Sequence, residues 1–133
     1  MVNNYNVFIS HSWDYLEDLR NLRKNLENRG YFKVEFFEIT PEDAINSENI
    51  YYVRNCIAQR IANADIVIGL AGVYASYSDW MSWELDKAQE LEKPILGVIP
   101  WGQERTSKVV SERADKMVHW NTESIVAAIR ELA

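Results

Sequence analysis

Residues 65–99 read DIVIGLAGVYASYSDWMSWELDKAQELEKPILGVI. The stretch opens on a near-continuous apolar run, Asp65 to Gly69, of the kind buried on both faces of a parallel sheet. From about Asp79, Met81, Leu85, Ala88 and Leu91 recur at the spacings of an amphipathic helix. Pro94 stops that helix, and Ile95 to Ile99 is a second apolar run. Strand, helix and strand in this order form a parallel unit with a right-handed crossover, and this unit decides the fold.

The flanking sequence repeats the alternation. Tyr5 to Ser10 reads as a first strand, followed by the loop Ser10-His11-Ser12-Trp13-Asp14. Leu16, Leu19, Leu22 and Leu26 predict a helix ending near Gly30. Lys33 to Ile39 reads as a second strand, and Thr40 to Glu48 as a polar connection. A helix from about Glu48 to Asn63 carries Ile50, Val53, Ile57 and Ile61 on its inner stripe, with Cys56 expected as a small core residue. After the fourth strand come a turn at Pro100-Trp101-Gly102, a short helix from Thr106 to Asp115, a fifth strand at Lys116 to Trp120, and a helix from Thr122 to Leu132. The expectation is an α/β fold over residues 1–133 as one domain: a five-stranded parallel sheet with helices on both faces.

One residue breaks the helical pattern in the opening stretch. At about 100° per residue, Glu84 projects on or beside the apolar stripe, and Trp80 lies one turn below on nearly the same face. Asp86 and Lys87 hold the positions where a solvated charge belongs. Glu84 is thus read as a carboxylate held in a partly apolar site. Spacing alone also accommodates a structural carboxylate paired with a nearby cation or backbone amide.

Composition narrows the function. With 133 residues and a hydrophobic fraction of 47%, the chain is long enough for one sizeable core. A net charge of −6 argues against nonspecific nucleic-acid binding. The cluster Arg20, Arg23, Lys24 and Arg29 is interleaved with Glu17, Asp18 and Glu27, as on a solvated mixed-charge helix face. No apolar run reaches membrane-spanning length, and MVNNYNVFIS lacks the pattern of a secretory leader. Cys56 is the single cysteine, which excludes an internal disulfide and fits a reducing, cytoplasmic setting.

Open parallel sheets bind ligands beyond the carboxyl ends of their strands, near the switch in strand order. The residues gathered there are Ser10, His11, Ser12, Tyr74, Tyr77, Ser78, Trp80 and Glu84. The loop SHSWD contains no glycine, which excludes the dinucleotide-binding fingerprint, and no nucleotide-triphosphate loop occurs. A phosphoacceptor receiver needs an acidic pair after the first strand and an aspartate ending the third; Ser10 and Gly69 stand there instead. His11 and His119 lack partners at metal-ligand spacing, so no metal is expected. Proximity of Ser10, His11 and Ser12 in sequence does not by itself make a nucleophile–base pair.

VFISHSWD, residues 7–14, resembles the first conserved box of Toll/interleukin-1 receptor (TIR) domains. SDWMSWEL, residues 78–85, resembles that family's Trp-x-x-x-Glu-Leu helix, and PILGVIPW, residues 94–101, its fourth strand. Within the superfamily the chain is most similar to the TIR-like domains of the bacterial Thoeris antiphage system, of the ThsB type. The resemblance implies a flavodoxin-like TIR fold. It also implies an enzyme that cleaves the nicotinamide–ribose bond of NAD, with Glu84 in the catalytic role. NAD is then substrate, not cofactor, and a cyclic ADP-ribose-type product is the diffusible signal that activates a partner effector. Self-association through TIR contacts is implied as well; no nucleic acid or membrane is expected as a partner. Two other classes suit the same pattern: a noncatalytic TIR assembly module, and a nucleoside deoxyribosyltransferase-like enzyme in which a glutamate attacks a deoxynucleoside.

Overall fold

The computed structural model describes residues 4–10, 16–29, 33–36, 50–70, 79–99 and 108–133. The expected Thr40–Glu48 connection, Gly30 and the turn at Trp101 lie outside them. Five strands, β1 (Asn4–Ser10), β2 (Lys33–Phe36), β3 (Ile66–Leu70), β4 (Ile95–Ile99) and β5 (Lys116–His119), alternate with helices α1 (Leu16–Glu27), α2 (Ile50–Asn63), α3 (Asp79–Glu90), α4 (Lys108–Ser111) and α5 (Thr122–Leu132). All strand pairs are parallel, in the order β2-β1-β3-β4-β5. The chain therefore leaves β1 on one side to make β2 and returns to its other side to make β3. The switch in strand order falls between β1 and β3.

The period-2 geometry of the strands divides the core in two. Val7, Ile9, Ile66, Ile68, Leu70, Leu96 and Val98 meet Leu22 and Leu26 of α1 and the inner face of α5. Phe8, Val67, Ile95 and Ile99 meet Ile57 and Ile61 of α2, Met81, Leu85 and Ala88 of α3, and Val110 of α4. Both faces of β3 and β4 are buried, as their unbroken apolar runs predict.

The amino ends of the sheet are closed by a repeated device. Asp65, just before β3, accepts a bond from the Asn6 amide at 2.8 Å and donates its own amide to the Asn6 carbonyl at 2.7 Å. Asp115, just before β5, does the same with Ile95, at 2.8 Å in each direction. Each aspartate satisfies backbone groups of the neighbouring strand at the level where its own strand begins.

Two glycines set how closely α3 and α4 approach. Gly69 of β3 pairs with Gly97 of β4, which pairs with Met117 of β5. A methyl group at Gly69 would lie 3.0 Å from Val110 Cγ1 and 3.7 Å from Leu85 Cδ2; one at Gly97 would overlap the Met117 side chain. The bare backbone leaves a furrow into which Val110 and Leu85 settle.

Most expected boundaries agree with the structure to within about two residues. Three expectations are corrected. The short helix before β5 ends at Ser111 and not at Asp115. Leu91, expected on the α3 stripe, is 37% exposed, because the chain reverses at Glu92 and Leu91 falls in the closing turn. Cys56 is only partly buried, because Ile57 and Ile61, one turn apart, already fill the inward direction of α2.

Candidate active site

Helix α3 buries Met81, Glu84, Leu85 and Ala88. These are positions i, i+3, i+4 and i+7, the full apolar stripe of a helix lying on a sheet. Glu84 is thus on the core face, with a relative exposure of 9%. On β1, alternation places Ser10 on the same face as Phe8, towards α2 and α3. Ser10 is fully buried and sits at the carboxyl end of β1, in register with Gly69. The furrow at Gly69 lets α3 lie close enough for the Ser10 hydroxyl to donate to Glu84 Oε1 at 2.9 Å.

This hydrogen bond spans the switch point, since one partner ends β1 and the other lies in the helix that follows β3. Among the described residues Glu84 has no cationic partner, which removes the structural ion-pair reading at those positions. Burial raises its carboxyl from 4.5 to about 8, against the weaker opposing effect of the Ser10 hydroxyl. The cause is loss of hydration: an apolar surrounding disfavours the charged form, and one donor only partly compensates. A carboxyl so displaced, at the carboxyl edge of the sheet, makes Glu84 the candidate for a functional site.

The other expected site residues are placed less fully. The backbone of Trp80 is in the first turn of α3, four residues before Glu84; its side chain is outside the description. His11, Ser12, Tyr74, Tyr77 and Ser78 lie outside the described residues altogether. Trp83 is partly buried against the α2–α3 side of the core. The Arg54 guanidinium and the Lys87 ammonium stand 5.8 and 5.6 Å from its ring centre, so this tryptophan joins α2 to α3. The sequence reading grouped Ser10 with substrate contacts and missed its bond to Glu84. The signal was available: strand alternation turns Ser10 towards the face on which Glu84 interrupts the apolar stripe.

Among the described residues no group of three or more His, Cys, Asp or Glu side chains is placed to hold a metal ion. No described helix is long and apolar enough to cross a membrane.

Comparison with known proteins bears on the family and the fold. The family described as "Thoeris protein ThsB, TIR-like domain" matches residues 8–105. No curated protein matches significantly. Among solved structures, the CMP N-glycosidase BcmB of Clostridium botulinum superimposes with a TM-score of 0.59 at 15% identity, covering 95% of this chain and 98% of that one. A 3-dehydroquinate dehydratase-like protein from Bifidobacterium longum gives 0.53 at 14% identity, covering 98% and 94%. The β-glucosidase EmGH1 of Erythrobacter marinus gives 0.51 at 14% identity, covering 98% of this chain but 25% of its own. At these identities the likeness concerns the fold.

Proposed function

The chain belongs to the TIR-like domain family of the Thoeris protein ThsB, and from that membership we propose that it is an NAD-cleaving enzyme of antiphage defence. In this reading it acts in the cytoplasm and breaks the nicotinamide–ribose bond. A cyclic ADP-ribose-type product then leaves to activate a partner effector, and the protein self-associates through TIR contacts. The observation that carries the proposal is Glu84, a buried carboxyl held by Ser10 at the β1–β3 switch point.

Cleavage of this bond sends its electron pair to the nicotinamide nitrogen, which neutralises the cationic ring and makes nicotinamide a good leaving group. Positive charge is left on the ribose anomeric carbon and ring oxygen. A carboxylate beside that carbon stabilises the charge, most strongly where water is excluded. Glu84 supplies this group from a helix face that is otherwise apolar. With its carboxyl at about 8 in the free protein, it is mainly protonated at neutral pH. Arrival of the cationic nicotinamide ring favours the ionised form and lowers that value, so substrate binding itself prepares the carboxylate. Attack by a ring nitrogen or hydroxyl of the same molecule, with loss of a proton where one is carried, gives a cyclic product; attack by water gives free ADP-ribose.

A second reading is favoured by the likeness to a CMP N-glycosidase: the bond broken is that of a nucleoside or nucleotide. The same buried carboxyl serves there as nucleophile or charge stabiliser. Incubation with NAD, with and without lysate of phage-infected cells, followed by mass-resolved chromatography separates these readings. A Glu84-dependent species at the mass of cyclic ADP-ribose supports the proposal. Indifference to NAD, together with Glu84-dependent release of base from nucleosides or nucleotides, replaces it with the second reading.

A further inference from the structure

We propose that Ser10 is a positioning residue, whose hydroxyl fixes one oxygen of Glu84 so that the other is presented to the scissile ribose. The inference rests on the substrate reading above only for the identity of that ribose. The bond itself is a feature of the fold.

Three observations lead to it. Ser10 is fully buried and Glu84 nearly so, so the bond is shielded from water. A serine has a single hydroxyl proton, and here it is directed to Glu84 Oε1 at 2.9 Å; it is therefore not available as a donor to substrate while this contact holds. The backbone also fixes both partners. Ser10 is held in register with Gly69 by the β1–β3 ladder, and Glu84 stands between Met81, Leu85 and Ala88 on a packed helix face.

The bond also favours ionisation. A hydroxyl donating to a carboxylate stabilises the charged form more than the neutral one, and Ser10 opposes the effect of burial on Glu84. Among the described residues other charges do not take over this task. The packed parts of β1, β3 and β4 (Val7–Ser10, Ile66–Leu70 and Ile95–Ile99) carry no titratable side chain. On α2, Arg54 lies over Trp83; on α3 itself, Lys87 does the same, and Asp86 binds Arg113 at 2.7 Å. Lys87 also binds Glu90 of α3 at 3.0 Å; Arg60 and Lys108 are the remaining charged groups on α2 and α4, and none of these cations forms an ion pair with Glu84 among the described residues.

The test is a carbon-13 titration of the Glu84 carboxyl in glutamate-labelled protein, its signal identified by its absence in Glu84→Gln. Wild type, Ser10→Ala and Ser10→Cys are compared, and nicotinamide release from NAD is followed across pH with the same proteins. The midpoint, near 8 in the wild type, moves up by about one unit in Ser10→Ala. It takes an intermediate value in Ser10→Cys, where the weaker thiol donor replaces the hydroxyl at similar size. The rising limb of kcat/KM moves with it, and kcat falls about tenfold or more while KM changes little. A purely structural Ser10 lowers activity equally at every pH and leaves the titration in place; that result overturns the proposal. If Ser10→Ala does not fold, Ser10→Cys carries the same test. Shifted midpoints in proteins that leave NAD untouched uphold the positioning role and refute the substrate. Glu84-dependent NAD cleavage with unmoved midpoints does the reverse.

Discussion

Glu84 stands at a position where leucine or alanine would make a better helix–sheet contact, and the fold tolerates it at a cost that depends on pH. Its folded carboxyl lies at about 8 against an ordinary value of 4.5. Between those values the folded chain holds a proton that the unfolded chain has released. The stability linked to this group is therefore intact below about 4.5 and is lost as pH rises through 8. Glu84→Gln keeps the shape, accepts the Ser10 bond through its amide oxygen and has no charge to bury. The variant is expected to match the wild type near pH 4.5 and to become progressively more stable than it as pH rises, levelling off above pH 8 on the order of a few kcal/mol apart. Thermal melts of both proteins at several pH values check this, and a constant difference in Tm contradicts it. In the proposed role of Glu84, a group that weakens its own fold is the expected trade between activity and stability. The sequence showed that Glu84 was misplaced for solvent, since the stripe could be counted. It did not show the partner, because the Ser10 contact joins positions 74 residues apart.

At the level of elements, α3 carries Glu84 and the clearest local signals. Its amino half agrees with the periodicity and its carboxyl end does not, because helix termination is decided by backbone hydrogen bonds that side-chain spacing does not report. The Lys93 amide bonds the Ala88 carbonyl at 2.9 Å and the Glu92 amide the Gln89 carbonyl at 3.0 Å. Glu92 sits between them with φ of 59°. This paired closure normally takes glycine at the left-handed position. Glu92→Gly is expected to stabilise the protein by about 0.5–1 kcal/mol, read as a higher denaturation midpoint with unchanged slope; a lower midpoint contradicts the assignment. The furrow in the sheet makes the opposite prediction. Gly97→Ala forces Met117 aside and crowds Val110 at 3.0 Å, so it is expected to cost about 1–3 kcal/mol. Its denaturation midpoint falls if the furrow is as tight as described. Neither glycine announced this role in sequence, since the close approach comes from α4 and β5, elements distant along the chain.

For the molecule as a whole, alternation of apolar runs and helical stripes made the parallel α/β sheet legible, and β4 and α5 keep their expected bounds. Strand order was not contained in those patterns; it is seen directly in the order β2-β1-β3-β4-β5. That order gives the site its position: aspartates close the amino ends of β3 and β5, while Ser10 and Glu84 meet at the carboxyl end beside the switch. The most direct measurement is nicotinamide release from NAD by wild type and Glu84→Gln, followed side by side from about pH 5 to 10 in the presence of infected-cell lysate. The wild-type kcat/KM is expected to rise with a limb near 8, with a kcat limb at lower pH because bound nicotinamide favours the carboxylate; release by the variant is expected to be at least a hundredfold slower above the limb, the gap narrowing as pH falls and the wild-type carboxyl takes up its proton. Release by Glu84→Gln within a few-fold of wild type across that range would contradict this expectation.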